Sequence, residues 1–211
     1  MSGLKEIRNR ISSVSSTMQI TNAMKMVSAA KLKKAQDSIS ATLPYSNKLS
    51  ELIKNISAST DSDDTNPLFE KRESKNLLII AITSNKGLCG GFNSNIIKEV
   101  NKIKTTSTSK RIDLLTIGKK GDDILSKKFQ VISSHNDVYD NFNYNNIKEI
   151  AETVLQKFSD KEYDEVKLVY NHFKNAATQI VTKEQYLPIQ ESADENNSVS
   201  GDYIFEPNRP K

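Results

Sequence analysis

Tryptophan is absent from this 211-residue chain, and cysteine occurs once, at Cys89. A single thiol forms no internal disulfide, so a hydrophobic core has to hold the fold, and the chain is long enough to build one. The only histidines are His135 and His172. Neither stands at ligand spacing from Cys89, which excludes a Cys/His metal centre. Long apolar runs are also missing: no stretch approaches the roughly 18 residues that a bilayer span requires. The opening MSGLKEIRNR has neither an apolar h-region nor a small-residue cleavage site, so it reads as neither a secretory signal nor a transit peptide. Nucleophile–base pairs are lacking as well. Ser84, Cys89, His135 and His172 show no pairing pattern, and no G-x-S-x-G elbow occurs, so no residue is assigned a catalytic role.

What is present begins with charge. The net charge is +4, but residues 1–40 hold seven basic residues against two acidic ones, a local +5 that leaves the remainder near −1. The basic residues are Lys5, Arg8, Arg10, Lys25, Lys31, Lys33 and Lys34. An acidic protein surface, a nucleic acid or an anionic lipid could each use that excess. The same segment is rich in Ala, Leu, Met, Lys and Gln, and no glycine follows Gly3 before Ile56, so a helix is predicted over residues 1–56. Leu4, Ile7, Ile11, Val14 and Met18 step by three and four, the pattern of a coiled-coil seam. Beyond Met18 the seam blurs, and a second set appears at Met24, Val27, Leu32, Ala35 and Ile39. Pro44 is expected to bend or interrupt the helix. Even so, a helix of this length reaches about 80 Å. One α/β domain cannot cover such a stripe, so its partner must come from another chain or from elsewhere in this one.

Residues 57–75 read as a polar, acidic linker. From Asn76 the periodicity changes. NLLIIAIT is a continuous apolar run suited to a strand buried on both faces. Further strands are predicted at 111–118, 129–134, 165–173 and 177–189, with helices at 92–103, after Gly118, and at 144–158. This alternation predicts an α/β class: a Rossmann-like α/β domain at 76–206 with a mostly parallel sheet and an antiparallel hairpin at its edge, beside the long N-terminal helix as half of an antiparallel coiled coil.

The sharpest local motif is the glycine loop SNKGLCGG (Ser84–Gly91) between strand and helix. A phosphate cradle is one reading of it. Both the Walker A ending and the dinucleotide fingerprint are absent, so the favoured reading is glycines that permit a tight turn. No cofactor or small-molecule substrate is assigned. The basic helix lacks a dense arginine block and an aromatic platform, which argues against nucleic acid as its partner.

Leu4–Gln36 (LKEIRNRISSVSSTMQITNAMKMVSAAKLKKAQ) and Ala81–Ile96 (AITSNKGLCGGFNSNI) resemble the opening helix and the glycine-loop motif of F-type ATP synthase gamma subunits. Asp202–Pro207 (DYIFEP) is similar to the segment before their C-terminal helix. This resemblance implies a non-catalytic rotor shaft whose rotation couples proton flow to ATP synthesis. It implies alpha, beta and epsilon subunits and the membrane c-subunit ring as partners, with no nucleic acid. By that resemblance Met24, Lys25 and Met26 face the catalytic beta subunits. Lys86, Gly87, Leu88, Cys89, Gly90 and Gly91 lie near beta and epsilon, and Tyr203, Phe205 and Glu206 face the c ring. It also implies a second long helix beyond Pro210, so residues 207–211 read as its truncated start, and a chain of this extent is expected not to transmit torque alone. With no transit peptide read, the expected location is the cytoplasmic side of a bacterial inner membrane, peripheral to it.

Overall fold

The computed structural model describes residues 2–58, 66–175 and 177–190. The expected linker residues 59–65, the polar segment from Ser192 and residues 202–211 lie outside the described residues. The described residues fall into two units, the N-terminal helix and an α/β unit.

Helix α1 runs from Ser2 to Ala58, 57 residues, or about 85 Å at 1.5 Å per residue. It continues through Pro44, which corrects the expected interruption. Pro44 forfeits the bond its own N–H would make, and the helical turns above and below it keep theirs. Thr17, Thr21 and Thr42 return their hydroxyl hydrogens to the carbonyls of Ser13, Thr17 and Ser38, at 2.9, 2.8 and 2.9 Å. These residues therefore satisfy their own polar groups inside the helix.

The α/β unit contains strands β1 (Asn76–Ile82), β2 (Arg111–Ile117), β3 (Gln130–His135), β4 (Glu165–Phe173) and β5 (Gln179–Leu187). Helices α2 (Phe92–Thr106), α3 (Lys119–Leu125) and α4 (Tyr144–Ser159) connect the first four. The sheet order is β3-β2-β1-β4-β5. The first four strands are parallel, and β5 returns antiparallel to β4, giving the expected hairpin edge.

This order decides which helix lies on which face. Successive right-handed crossovers from β1 to β2 and from β2 to β3 carry α2 and α3 over one face. The chain then passes back beyond β1 to reach β4, so α4 covers the other face. The core follows the same division. Leu77, Ile79 and Ala81 pack with Ile96, Val100 and Ile103 of α2, and with Leu125 at the end of α3. Leu78 and Ile80 pack with Ile150, Val154 and Phe158 of α4. Alternate residues of one strand thus fill two separate cores, which is why its sequence is an unbroken apolar run. On α2 and α4 the buried positions recur every three or four residues, one stripe per helix.

Residues 66–75, read from composition as the end of a linker, are packed onto this unit. The side chain of Asn66 accepts from the Leu68 N–H at 3.0 Å and starts a short 3-10 turn, Pro67–Phe69. Leu68 packs on the α4-side core and its carbonyl accepts from Ile189 N at 2.9 Å. Arg72 donates to the Phe158 carbonyl at 3.0 Å and to Glu70 at 2.7 Å, with its guanidinium over the Phe158 ring. Leu68 and Arg72 attach the polar run to the α4 face through two side chains that its composition concealed.

Among the described residues three polar side chains are buried: Thr83, Asp113 and Thr116. Asp113 on β2 accepts from Tyr163 Oη at 2.8 Å and pairs with Arg111 at 2.6 Å. Thr116 donates to Asp122 at 3.1 Å, tying β2 to α3.

Candidate functional site

The helix presents its seam. Leu4, Ile7, Ile11, Val14 and Met18 are between 57% and 67% exposed, and none is tucked into a globular core. Arg10, Ile11, Val14, Ser15 and Met18 line a shallow, almost wholly apolar groove along one side. Met24, Lys25 and Met26 are also exposed, as are Lys31, Lys33 and Lys34. Apolar and cationic residues therefore share the surface of one rod. A helix that leaves this much apolar stripe in water has a packing surface still to be covered.

In the α/β unit the glycine loop stands at the C-terminal end of β1. Its base is locked by Thr83. The Thr83 N–H donates to the Ile117 carbonyl at 2.8 Å, and its hydroxyl donates to the Gly118 carbonyl at 3.1 Å and accepts from Gly121 N at 2.8 Å. Tyr139 Oη donates to the Thr83 carbonyl at 2.7 Å. Tyr139 remains partly exposed, and the desolvation of its hydroxyl end raises its pKa. Gly118 has φ +99°, and a Cβ there would run into the Thr83 carbonyl. Glycine is required at 118 by conformation and by space. Asn85 continues the anchoring: its Oδ1 accepts from Lys119 N at 2.9 Å and its Nδ2 donates to the Asn136 carbonyl.

Past Asn85 the loop leaves the body. Lys86, Gly87, Leu88, Cys89, Gly90 and Gly91 are all exposed. Leu88, at φ +59°, is fully exposed, and Gly90 has φ +60°. The loop is closed from within by Asn93 in the first turn of α2. Asn93 Oδ1 accepts from Ser84 N at 3.0 Å. Asn93 Nδ2 shares its two hydrogens among Ser84 Oγ, the Lys86 carbonyl and Cys89 Sγ, at 2.9, 3.3 and 3.2 Å, while the Ser84 hydroxyl hydrogen goes to the Lys86 carbonyl.

Some of the residues considered for chemistry have other partners. Cys89 touches Lys86 and Asn93, and His135 Nε2 meets Ser133 Oγ at 2.8 Å. No cluster of three or more His, Cys, Asp or Glu residues able to hold a metal occurs among the described residues. No described helix is long and apolar enough to cross a membrane. Tyr203, Phe205 and Glu206 lie outside the described residues. Asn93 and the Thr83–Gly118–Gly121 joint were not singled out from sequence. An Asn just inside a helix that follows a glycine loop was the available signal for Asn93. The Thr83 joint links residues more than thirty positions apart and left no local pattern.

Comparison with known proteins points to one family. The family described as ATP synthase matches residues 3–211. The ATP synthase gamma chain of Flavobacterium johnsoniae is 53% identical over 209 residues, spanning 99% of this chain and 73% of the relative. That of Christiangramia forsetii is 54% identical over 210 residues, with 99% and 73% covered. Among solved structures, the central stalk and c ring of Tetrahymena thermophila mitochondrial ATP synthase matches with a TM-score of 0.60 and 32% identity, covering 80% of this chain and 72% of that one. The exposed rod, the α/β unit and these likenesses lead to one conclusion: the chain belongs to the ATP synthase gamma-chain family, the non-catalytic central-stalk subunits of the rotary enzyme.

Proposed function

We propose that α1 is one strand of the rotor shaft, that its Leu4–Met18 seam is covered by a second helix of the gamma chain, and that the shaft turns inside a ring of alpha and beta subunits. The observation that carries this reading is the seam itself, five large apolar side chains at heptad spacing, all more than half exposed on a 57-residue helix. Two helices in a coiled coil resist bending far better than one, and a shaft that bends loses torque. Met24, Lys25 and Met26 lie at the level of the beta subunits, where exposed lysines suit acidic stator loops. Ser28, Ala29 and Ala30 are small enough to let another backbone come close.

In this reading the loop Lys86–Gly91 is a contact for beta and epsilon, and Tyr203, Phe205 and Glu206 meet the c ring. The subunit is held at the membrane peripherally through that ring, on the cytoplasmic side. Co-expression of the gamma chain with its alpha, beta and epsilon subunits tests the assignment. One gamma chain recovered per alpha/beta hexamer supports it. Recovery of the hexamer without gamma at any salt concentration contradicts it. Ile11→Asp combined with Val14→Asp is expected to leave ATP hydrolysis by the head measurable while proton pumping per ATP falls.

A further inference from the structure

Six consecutive exposed residues, Lys86–Gly91, hold a defined course outside the body of the α/β unit, and Leu88 does so in a left-handed conformation that leucine seldom adopts. Packing does not hold it there, because Leu88 is fully exposed. The bonds that close the loop converge instead on one carboxamide. Asn93 reaches the loop's entry at Ser84 through both of its atoms, its middle at the Lys86 carbonyl, and its exit at Cys89 Sγ. Ser84 Oγ donates to the same Lys86 carbonyl at 2.7 Å, and Phe92 N donates to the Cys89 carbonyl at 3.3 Å.

We propose that Asn93 is a positioning residue for torque transfer: its side chain clamps the loop in the one conformation that presents Leu88 and Lys86 to the stator. The inference rests on the reading of this loop as a stator contact and adds the device that makes the contact stiff. The geometry explains the residue type. An amide both accepts at Ser84 and donates to Lys86 and Cys89. A carboxylate can do only the first, and a longer glutamine carries its amide past these partners. Stiffness matters because a contact on a loose loop yields before it transmits force. The strained Leu88 conformation persists only while the surrounding bonds determine it.

The test uses the full gamma chain, alone and assembled in its rotary complex. In the free chain, Asn93→Ala is expected to speed amide exchange at Ser84 and Phe92 by about ten-fold, the factor given by losing one or two net hydrogen bonds. Exchange in β1, β2 and β4 is expected to stay unchanged. In the assembled enzyme the same variant is expected to lose proton pumping per ATP hydrolysed while hydrolysis itself continues. Asn93→Asp is expected to keep protection at Ser84 and lose it at Phe92. Leu88→Ala combined with Lys86→Ala, which trims both side chains and leaves the clamp, is expected to lose pumping without altering exchange, and adding Asn93→Ala to the pair lowers pumping no further. Unchanged exchange in Asn93→Ala would overturn the clamp. A loosened loop with full pumping would overturn the positioning role, as would a further loss in the triple variant. Full pumping in both Leu88→Ala and Lys86→Ala would overturn the contact reading beneath it, whatever the exchange result.

Discussion

At the scale of single residues, two sites inside the α/β unit decide whether it holds its shape. The first is Gly118. With φ +99° and the Thr83 carbonyl in the space a Cβ would fill, Gly118→Ala is expected to cost more than about 2 kcal/mol. A urea melt monitored by circular dichroism measures it, and an unchanged midpoint contradicts the proposed joint. The second is Tyr163. Burial disfavours its phenolate first, and donation to the Asp113 carboxylate holds the proton further, so its pKa lies well above the ordinary tyrosine value. The unfolded chain therefore gives up this proton sooner than the folded one. The associated stability is full below about pH 10 and declines as pH rises beyond it. Tyr163→Phe is expected to lose about 1–3 kcal/mol at pH 7, since a buried acceptor loses a donor. It is also expected to flatten the decline in stability between pH 10 and 11. Urea midpoints across that interval check both, and an equally steep decline in the variant contradicts the assignment. Neither site leaves a local mark in the sequence, because Thr83 and Gly118 stand 35 positions apart and Asp113 and Tyr163 stand 50 apart.

At the scale of elements the sequence was far more open to reading. Strand β1 alternates between two cores, so every inner position must be apolar, and a continuous run signals this plainly. The stripes of α2 and α4 announce themselves by their 3.6-residue period. Periodicity is a local property and needs no knowledge of partners, which is why elements were legible where single residues were not. The exceptions follow from the same reason. Residues 66–75 look like linker because isolated residues attach them, Leu68 and Arg72 on the α4 face and Ser74 to Ser109 and Glu165, with no period to signal it. Pro44 looks like a break because the rule sees one missing bond, whereas the helix turns on either side supply many. Ile79→Ala is expected to cost about 2–5 kcal/mol, since its side chain is fully buried in the α2-side core and leaves a cavity there. Thermal unfolding checks it, and a shift within error would mean that this core collapses around the gap.

At the scale of the whole molecule, membership in the gamma-chain family gives the exposed stripe its meaning. A rod with an apolar edge and a cationic surface, attached in sequence to an α/β unit, is suited to carrying force between parts that do the chemistry. The stripe's spacing was visible in Leu4, Ile7, Ile11, Val14 and Met18; what covers it was not, because a seam records the shape of its partner and not the partner's identity. The most direct test is thiol labelling at the seam of the assembled enzyme. With Cys89→Ser to remove the native thiol, Ile11→Cys and Lys148→Cys variants are exposed in turn to a bulky maleimide. Cysteine at 148, on the exposed side of α4, is expected to react rapidly, and cysteine at 11 to be protected by the covering helix. Equal labelling rates at the two positions would show the seam open to water in the working complex and would contradict the shaft.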